Sequence, residues 1–189
     1  MSFLWNWFAG PFQDLLTYWF SSKPSTVLLI GLDHAGKTTL TGRLTNNRLI
    51  QAPPTSQPIH HQVQVGKVTI GLTDLGGHIQ ARRLWKDYYF SSSSIIFVVD
   101  VSDHKRFKEV RYELLNLLDD DDMSQVPILI LGNKIDCPHA SSYTETVQLL
   151  GIERYLCDES NRKVKLCMCS IATDEGYGDG IRWLVRQQQ

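Results

Sequence analysis

The residues Gly31-Leu32-Asp33-His34-Ala35-Gly36-Lys37-Thr38 have the spacing G-x-x-x-x-G-K-[ST], that of a phosphate-binding loop. Its glycines let the backbone turn tightly and aim N–H groups at phosphate oxygens. Lys37 can reach the β- and γ-phosphates, and the Thr38 hydroxyl can ligate Mg²⁺. Asp33, His34, Ala35, Gly36, Lys37, Thr38 and Thr39 are therefore expected around the phosphates.

A second group of chemical residues is Thr73-Asp74-Leu75-Gly76-Gly77-His78. An aspartate ending a strand is the usual partner of such a loop and holds Mg²⁺ through water. Gly76-Gly77 gives a backbone able to approach a γ-phosphate and to rearrange when it leaves. His78 stands where phosphoryl-transfer sites place the group that orients water, although a single histidine also serves as a surface or capping residue. Lys37, Gly77 and His78 make the expected catalytic set, and Thr38 with Asp74 the expected metal ligands.

A third group, Asn133-Lys134-Ile135-Asp136, suits guanine. A carboxylate at Asp136 can accept from the N1–H and exocyclic amine of guanine. Adenine has no donor in that arrangement, and an unpaired carboxylate would be costly. The Lys134 stem can lie along the base, and Asn133 can tie this loop to the phosphate loop. Ser170-Ile171-Ala172 can offer backbone N–H groups to guanine O6. The expected cofactors are GTP or GDP with Mg²⁺.

These groups need a frame. Thr26–Ile30, Ser94–Val99, Pro127–Leu131 and Val164–Ser170 are short apolar runs that read as buried strands. The stretches 62–65 and 67–72, on either side of Gly66, read as a hairpin. Helical periodicity appears after Lys37, over Lys105–Leu118 and over Tyr177–Val185. Asp119-Asp120-Asp121-Asp122 reads as a solvated loop. The pattern predicts an α/β fold with a mostly parallel central sheet of about six strands and helices on both faces, the ligand lying beyond the carboxyl ends of the strands.

The 189 residues and net charge of −1 fit one domain with a short extension. Nothing in the charge balance recommends nucleic acid as a partner. Of the four cysteines, Cys167 and Cys169 fall in one strand with the same side in common, and free thiols fit them better than a zinc site. A P-loop kinase would need an arginine-bearing lid and an acceptor pocket, for which no segment stands out.

Residues 1–20 are of another kind. They hold three of the five tryptophans and four of the seven phenylalanines, with Asp14 their only charged side chain. They lack the basic start and cleavage site of a signal peptide, and Asn6, Pro11, Gln13 and Asp14 interrupt any membrane span. Phe12, Leu15, Leu16 and Trp19 follow i, i+3, i+4, i+7, as in an amphipathic segment lying in a bilayer interface. The alternative is that the rings pack on the domain. The chain divides accordingly into a membrane-binding segment, 1–22, and a nucleotide-binding domain, 23–189.

Taken together, the motifs resemble the Arf/Sar family of small GTPases, and within it the Sar type that starts the COPII coat. The resemblance rests on residues 31–39, Asp74-Leu75-Gly76-Gly77-His78, residues 81–89, Pro127–Asp136, the Gly176-Tyr177-Gly178-Asp179-Gly180 ending and the Met-Ser-Phe-Leu-Trp opening. It implies a P-loop GTPase (Ras-like) three-layer fold and hydrolysis of GTP to GDP and phosphate, slow alone and stimulated by an activating protein. It gives Thr55 as a switch residue that ligates Mg²⁺ in the GTP state and His78 as the residue that positions water. It implies partners: the inner COPII coat as activating protein, further coat subunits, a membrane-bound exchange factor, and endoplasmic reticulum lipid through residues 1–20. The chain would sit in the cytoplasm, peripheral on the cytosolic face of the endoplasmic reticulum and Golgi. Arg82 and Arg83 are conceivable arginine fingers, but a helix-surface role suits them better. After Thr55 the chain reads Ser56-Gln57-Pro58-Ile59-His60-His61, where Sar proteins have a Thr-Ser-Glu-Glu stretch.

Overall fold

Alternation of buried side chains decides the architecture. In β1 (Ser25–Gly31), Leu28 and Ile30 join one apolar cluster while Val27 and Leu29 join another. The same division runs through β4 (Ser94–Asp100) and β5 (Ile128–Asn133), so the sheet is covered on both faces. The structure is a computed structural model that describes residues 25–46, 57–65, 68–157 and 162–187. The expected membrane segment 1–22 and the expected metal ligand Thr55 lie outside the described residues.

The sheet has six strands in the order β2-β3-β1-β4-β5-β6. β2 (Ile59–Val65) is antiparallel to β3 (Val68–Asp74), and every other pairing is parallel. The expected hairpin and mostly parallel sheet are both present. β6 (Val164–Cys169) closes the far edge.

One face is covered by α1 (Lys37–Asn46) through Leu40 and by α7 (Tyr177–Gln187) through Tyr177, Ile181, Leu184 and Val185. The opposite face is covered by α3 (Trp85–Tyr89) and α4 (Phe107–Leu118), with Leu150 of α5 (Tyr143–Leu150) in the same cluster. α2 (Ile79–Arg82) and α6 (Glu153–Cys157) are short. Cys167 and Cys169 do share a side and pack with the α1–α7 cluster as free thiols.

Some boundaries differ from the sequence expectation. The helix foreseen from Lys105 begins with a 3-10 turn, His104–Arg106, whose Arg106 pairs with Asp33 of the phosphate loop. Of the acidic run, Asp120 caps Asp122 N–H and opens a 3-10 turn at Asp121–Met123, anchored by buried Met123. Helices α2, α3, α5 and α6 carry too short a pattern to be read from periodicity. Yet α5 has a full capping box, Ser142 with Glu145, and ends on Gly151 at φ 66°. No helix among the described residues is long and apolar enough to cross a membrane.

Candidate functional site

The parallel strands β1, β3, β5 and β6 all run the same way, so their carboxyl ends lie along one edge of the sheet. At the end of β1 the chain turns through Leu32–Gly36 into α1. His34 sits in the left-handed region at φ 62°, a conformation that costs a non-glycine residue about 1–3 kcal/mol. Gly36 is required: its φ is 108°, and a Cβ there would lie 2.4 Å from Asn133 Nδ2.

Lys37 is 6% exposed, and its Nζ donates to Gly31 O and Leu32 O, both at 2.9 Å. Burial pulls its ammonium down to about 8, against the opposing charge of Asp74. Thr38 Oγ1 donates to Asp74 Oδ2 at 3.1 Å. Asp74 is wholly buried, and burial raises its carboxyl despite Lys37 and Thr38. Its Oδ1 has no hydrogen-bond partner among the described residues.

That orphaned oxygen tests the fit of a metal. Hydroxyl and carboxylate oxygens suit Mg²⁺, which typically takes one or two protein ligands and completes its shell with water and phosphate. Thr38 and Asp74 stand together as such a donor pair. No group of three or more His, Cys, Asp or Glu residues suited to a metal occurs among the described residues, so the pair would act with nucleotide oxygens rather than as a self-contained cage.

Gly77 lies directly on the phosphate loop. A Cβ at Gly77 would be 2.2 Å from Asp33 N and 2.5 Å from Gly31 O. Its carbonyl accepts from Arg82 Nε at 2.6 Å, and Gly76 O accepts from Trp85 Nε1 at 3.0 Å. His78 caps α2, its Nδ1 accepting from Ala81 N at 2.9 Å. The capping role is thus realised, and it uses Nδ1 alone.

Around this contact runs a charge network that sequence patterns do not reveal. Arg82, with a side chain 8% exposed, also reaches Glu109 and Glu113. Arg106 reaches Asp33 Oδ1 at 2.7 Å and Glu109 at 2.9 Å. Burial would raise the Asp33 carboxyl, but Arg106 outweighs it and holds it below the usual carboxylate range. Arg82 is therefore buried in ion pairs rather than lying on a helix surface as expected.

The base side is built differently. Asn133 Nδ2 donates to Ala35 O at 2.8 Å and its Oδ1 accepts from Ile171 N at 3.0 Å. The expected tie to the phosphate loop exists, and Asn133 extends it to the 170–176 loop. Lys134, at φ 73°, pairs with Asp100 at 2.5 Å, an interaction not foreseen for its stem. Asp136 is exposed and makes no hydrogen bond among the described residues, so its acceptors are open. Ser170 N donates to Glu175 O at 3.0 Å, and Ser170 Oγ accepts from Thr173 N. The N–H groups of Ser170 and Ile171, expected to serve guanine O6, are thus engaged by Glu175 O and Asn133 Oδ1.

A phosphate loop at the end of β1, an Asp-x-x-Gly turn after β3 and an Asn-Lys-x-Asp turn after β5 define a P-loop GTPase of the Ras-like fold. Residues 12–188 match the ADP-ribosylation factor family, and the chain belongs to that family. Its members are GTP hydrolases that bind GTP and GDP, and this chain is one. It is 38% identical to the Small COPII coat GTPase SAR1 of Giardia intestinalis over 186 residues, covering 95% of this chain and 96% of that one. It is 34% identical to ADP-ribosylation factor-like protein 3 of Caenorhabditis elegans, covering 87% and 88%. The Arl6 BBS3 small GTPase of Trypanosoma brucei, solved with the nucleotide analogue GppNp, superposes with a TM-score of 0.78 at 26% identity, covering 88% of this chain and all of that one.

Proposed function

We propose that this chain is a GTP-operated membrane switch of the Sar type. GTP loading would release residues 1–20 into the endoplasmic reticulum membrane, and the loaded form would recruit the COPII coat for transport to the Golgi. A membrane-bound exchange factor would load it, and the inner coat would act as its activating protein. The similarity to SAR1 of Giardia intestinalis and the aromatic opening support this reading.

The observation that carries it is the seat of Gly77 on the backbone of Leu32 and Asp33. A γ-phosphate held by the loop at Asp33–Thr39 would come up against Gly77, and its presence or loss would then be felt at Arg82, Glu109 and Glu113 through Gly77 O. Lys37 is ready to exchange its two carbonyl partners for phosphate oxygens. Thr38 and Asp74, with Thr55 in the GTP state, would hold Mg²⁺, which supplies charge neutralisation at the phosphates. His78 Nε2 would orient the attacking water, while its Nδ1 keeps the ring anchored on α2. Arg82 and Arg106 are both committed to carboxylates. Stimulation by an arginine from the activating protein follows, an effect of about 10³–10⁵ in such enzymes.

Liposome flotation of the full chain loaded with GDP or GppNp tests the reading. Membrane binding should depend on GppNp and vanish when residues 1–20 are removed. Equal flotation in both states refutes it. The relative named ADP-ribosylation factor-like protein 3 supports a second reading, an Arf-like regulator; GppNp-dependent flotation without coat recruitment would favour that one.

A further inference from the structure

We infer that Arg43 is a positioning residue that sets the base-side loop and thereby governs guanine-nucleotide residence. Arg43 lies in the last turn of α1, the helix whose first turn holds the phosphate-loop residues Lys37 and Thr38. Its Nε donates to Ile171 O at 3.2 Å and its Nη2 to Ala172 O at 2.7 Å. These bonds join residues 128 and 129 positions apart. One rigid helix thus connects the phosphate end of the cleft to the base end.

Three consecutive peptide groups are pinned. Asn133 Oδ1 takes the Ile171 N–H. Arg43 takes the Ile171 carbonyl. Arg43 and Ser170 Oγ take the Ala172 carbonyl and the Thr173 N–H. In a trans peptide, C=O and N–H point in opposite directions. Fixing the Ile171 carbonyl on the α1 side therefore turns the Ala172 N–H to the other side. That N–H has no partner among the described residues. It is the donor this loop leaves for an acceptor such as guanine O6. A guanidinium fork suits the task because it presents donors in fixed geometry to two adjacent carbonyls.

The inference rests on the 170–176 loop being the base side of the nucleotide site, and the test separates the two. Full-length chain is loaded with GDP or with 6-thio-GDP, whose sulfur is a weak acceptor at position 6, and release into excess unlabelled nucleotide is followed. Arg43→Gln should release GDP about 10- to 100-fold faster, the loss of bonds from a charged donor. Its effect on 6-thio-GDP should be much smaller, and Arg43→Lys should recover part of the GDP residence. A variant that merely loosened the fold would speed both nucleotides equally. Unchanged GDP release, or equal acceleration of both, overturns the role of Arg43. If the unaltered chain does not prefer GDP to ADP, the guanine site itself is wrong and the inference falls with it.

Discussion

The two ends of the nucleotide cleft follow opposite rules. At the base end, both polar atoms of Asn133 are paired, Lys134 is paired with Asp100, and the carbonyls of Ile171 and Ala172 are held by Arg43. At the phosphate end, a buried carboxylate keeps an oxygen unpaired and a buried ammonium rests on two carbonyls. Buried polar groups without partners are costly and few in folded proteins, and an unpaired oxygen of a buried carboxylate is among the costliest. The base end is a finished piece of structure that recognises. The phosphate end is an unfinished one whose completion depends on what binds. That difference is what a two-state device needs: a constant grip at one end and a changeable one at the other.

The comparison breaks most visibly at catalysis. His78→Gly should lower activator-stimulated GTP hydrolysis by about 10²-fold or more in single-turnover assays, the loss expected when attacking water is no longer oriented. Nucleotide affinity should change little, because the base end is untouched. An unchanged stimulated rate would remove His78 from the mechanism. Asp136→Asn should do the reverse. Losing a charged acceptor for two donors should weaken GDP binding about 10- to 150-fold by titration. Hydrolysis of GTP once bound should be far less affected. A variant with undiminished GDP affinity would place base recognition elsewhere.

A sharper test compares stability of the nucleotide-free chain. Asn133→Ala leaves Ala35 O and Ile171 N without partners and should cost about 2–3 kcal/mol in urea unfolding. Asp74→Asn removes a buried charge that has only partial compensation, so it should leave that stability unchanged or raise it. The same substitution should weaken the Mg²⁺ dependence of GTP binding. If Asp74→Asn destabilises the free chain as much as Asn133→Ala, the phosphate end is no less finished than the base end.

Much of this frame was readable from residues alone, for a physical reason. Strands β1, β4 and β5 are buried on both faces, so they appear as continuous apolar runs. The glycines of the phosphate loop and the Asn-Lys-x-Asp turn are local demands of backbone and ligand, written in consecutive residues. What consecutive residues do not reveal depends on distance along the chain. Arg106 finds Asp33 across 73 positions, and Arg43 finds Ile171 across 128. An arginine on a helix carries no periodic or spacing signal that names its partner. The motif puts the Lys134 stem along a base; its pairing with Asp100 follows from β4 and β5 ending in register, Asp100 opposite Asn133. The helices α2 and α3 are short, and tertiary contacts such as Trp85 Nε1 on Gly76 O hold them rather than a long apolar face.

The Asp100–Lys134 pair yields the smallest effect and a signed pH dependence. Burial would raise the Asp100 carboxyl, but hydrogen bonds from Lys134 and Ser102 outweigh it and hold it below the usual carboxylate value. A carboxyl lowered in the folded chain adds stability above its unfolded value of 3.8 and loses it as pH falls through the folded value. Asp100→Asn should therefore cost about 1 kcal/mol near neutral pH, a modest figure because the pair is only partly buried. The gap between the two chains should hold steady on acidification and begin to close near pH 4, measured by urea unfolding with GDP present throughout. A gap that widens as the pH falls would mean that the carboxylate is not what holds Lys134, and that the base end owes its rigidity to Asn133 and Arg43 alone.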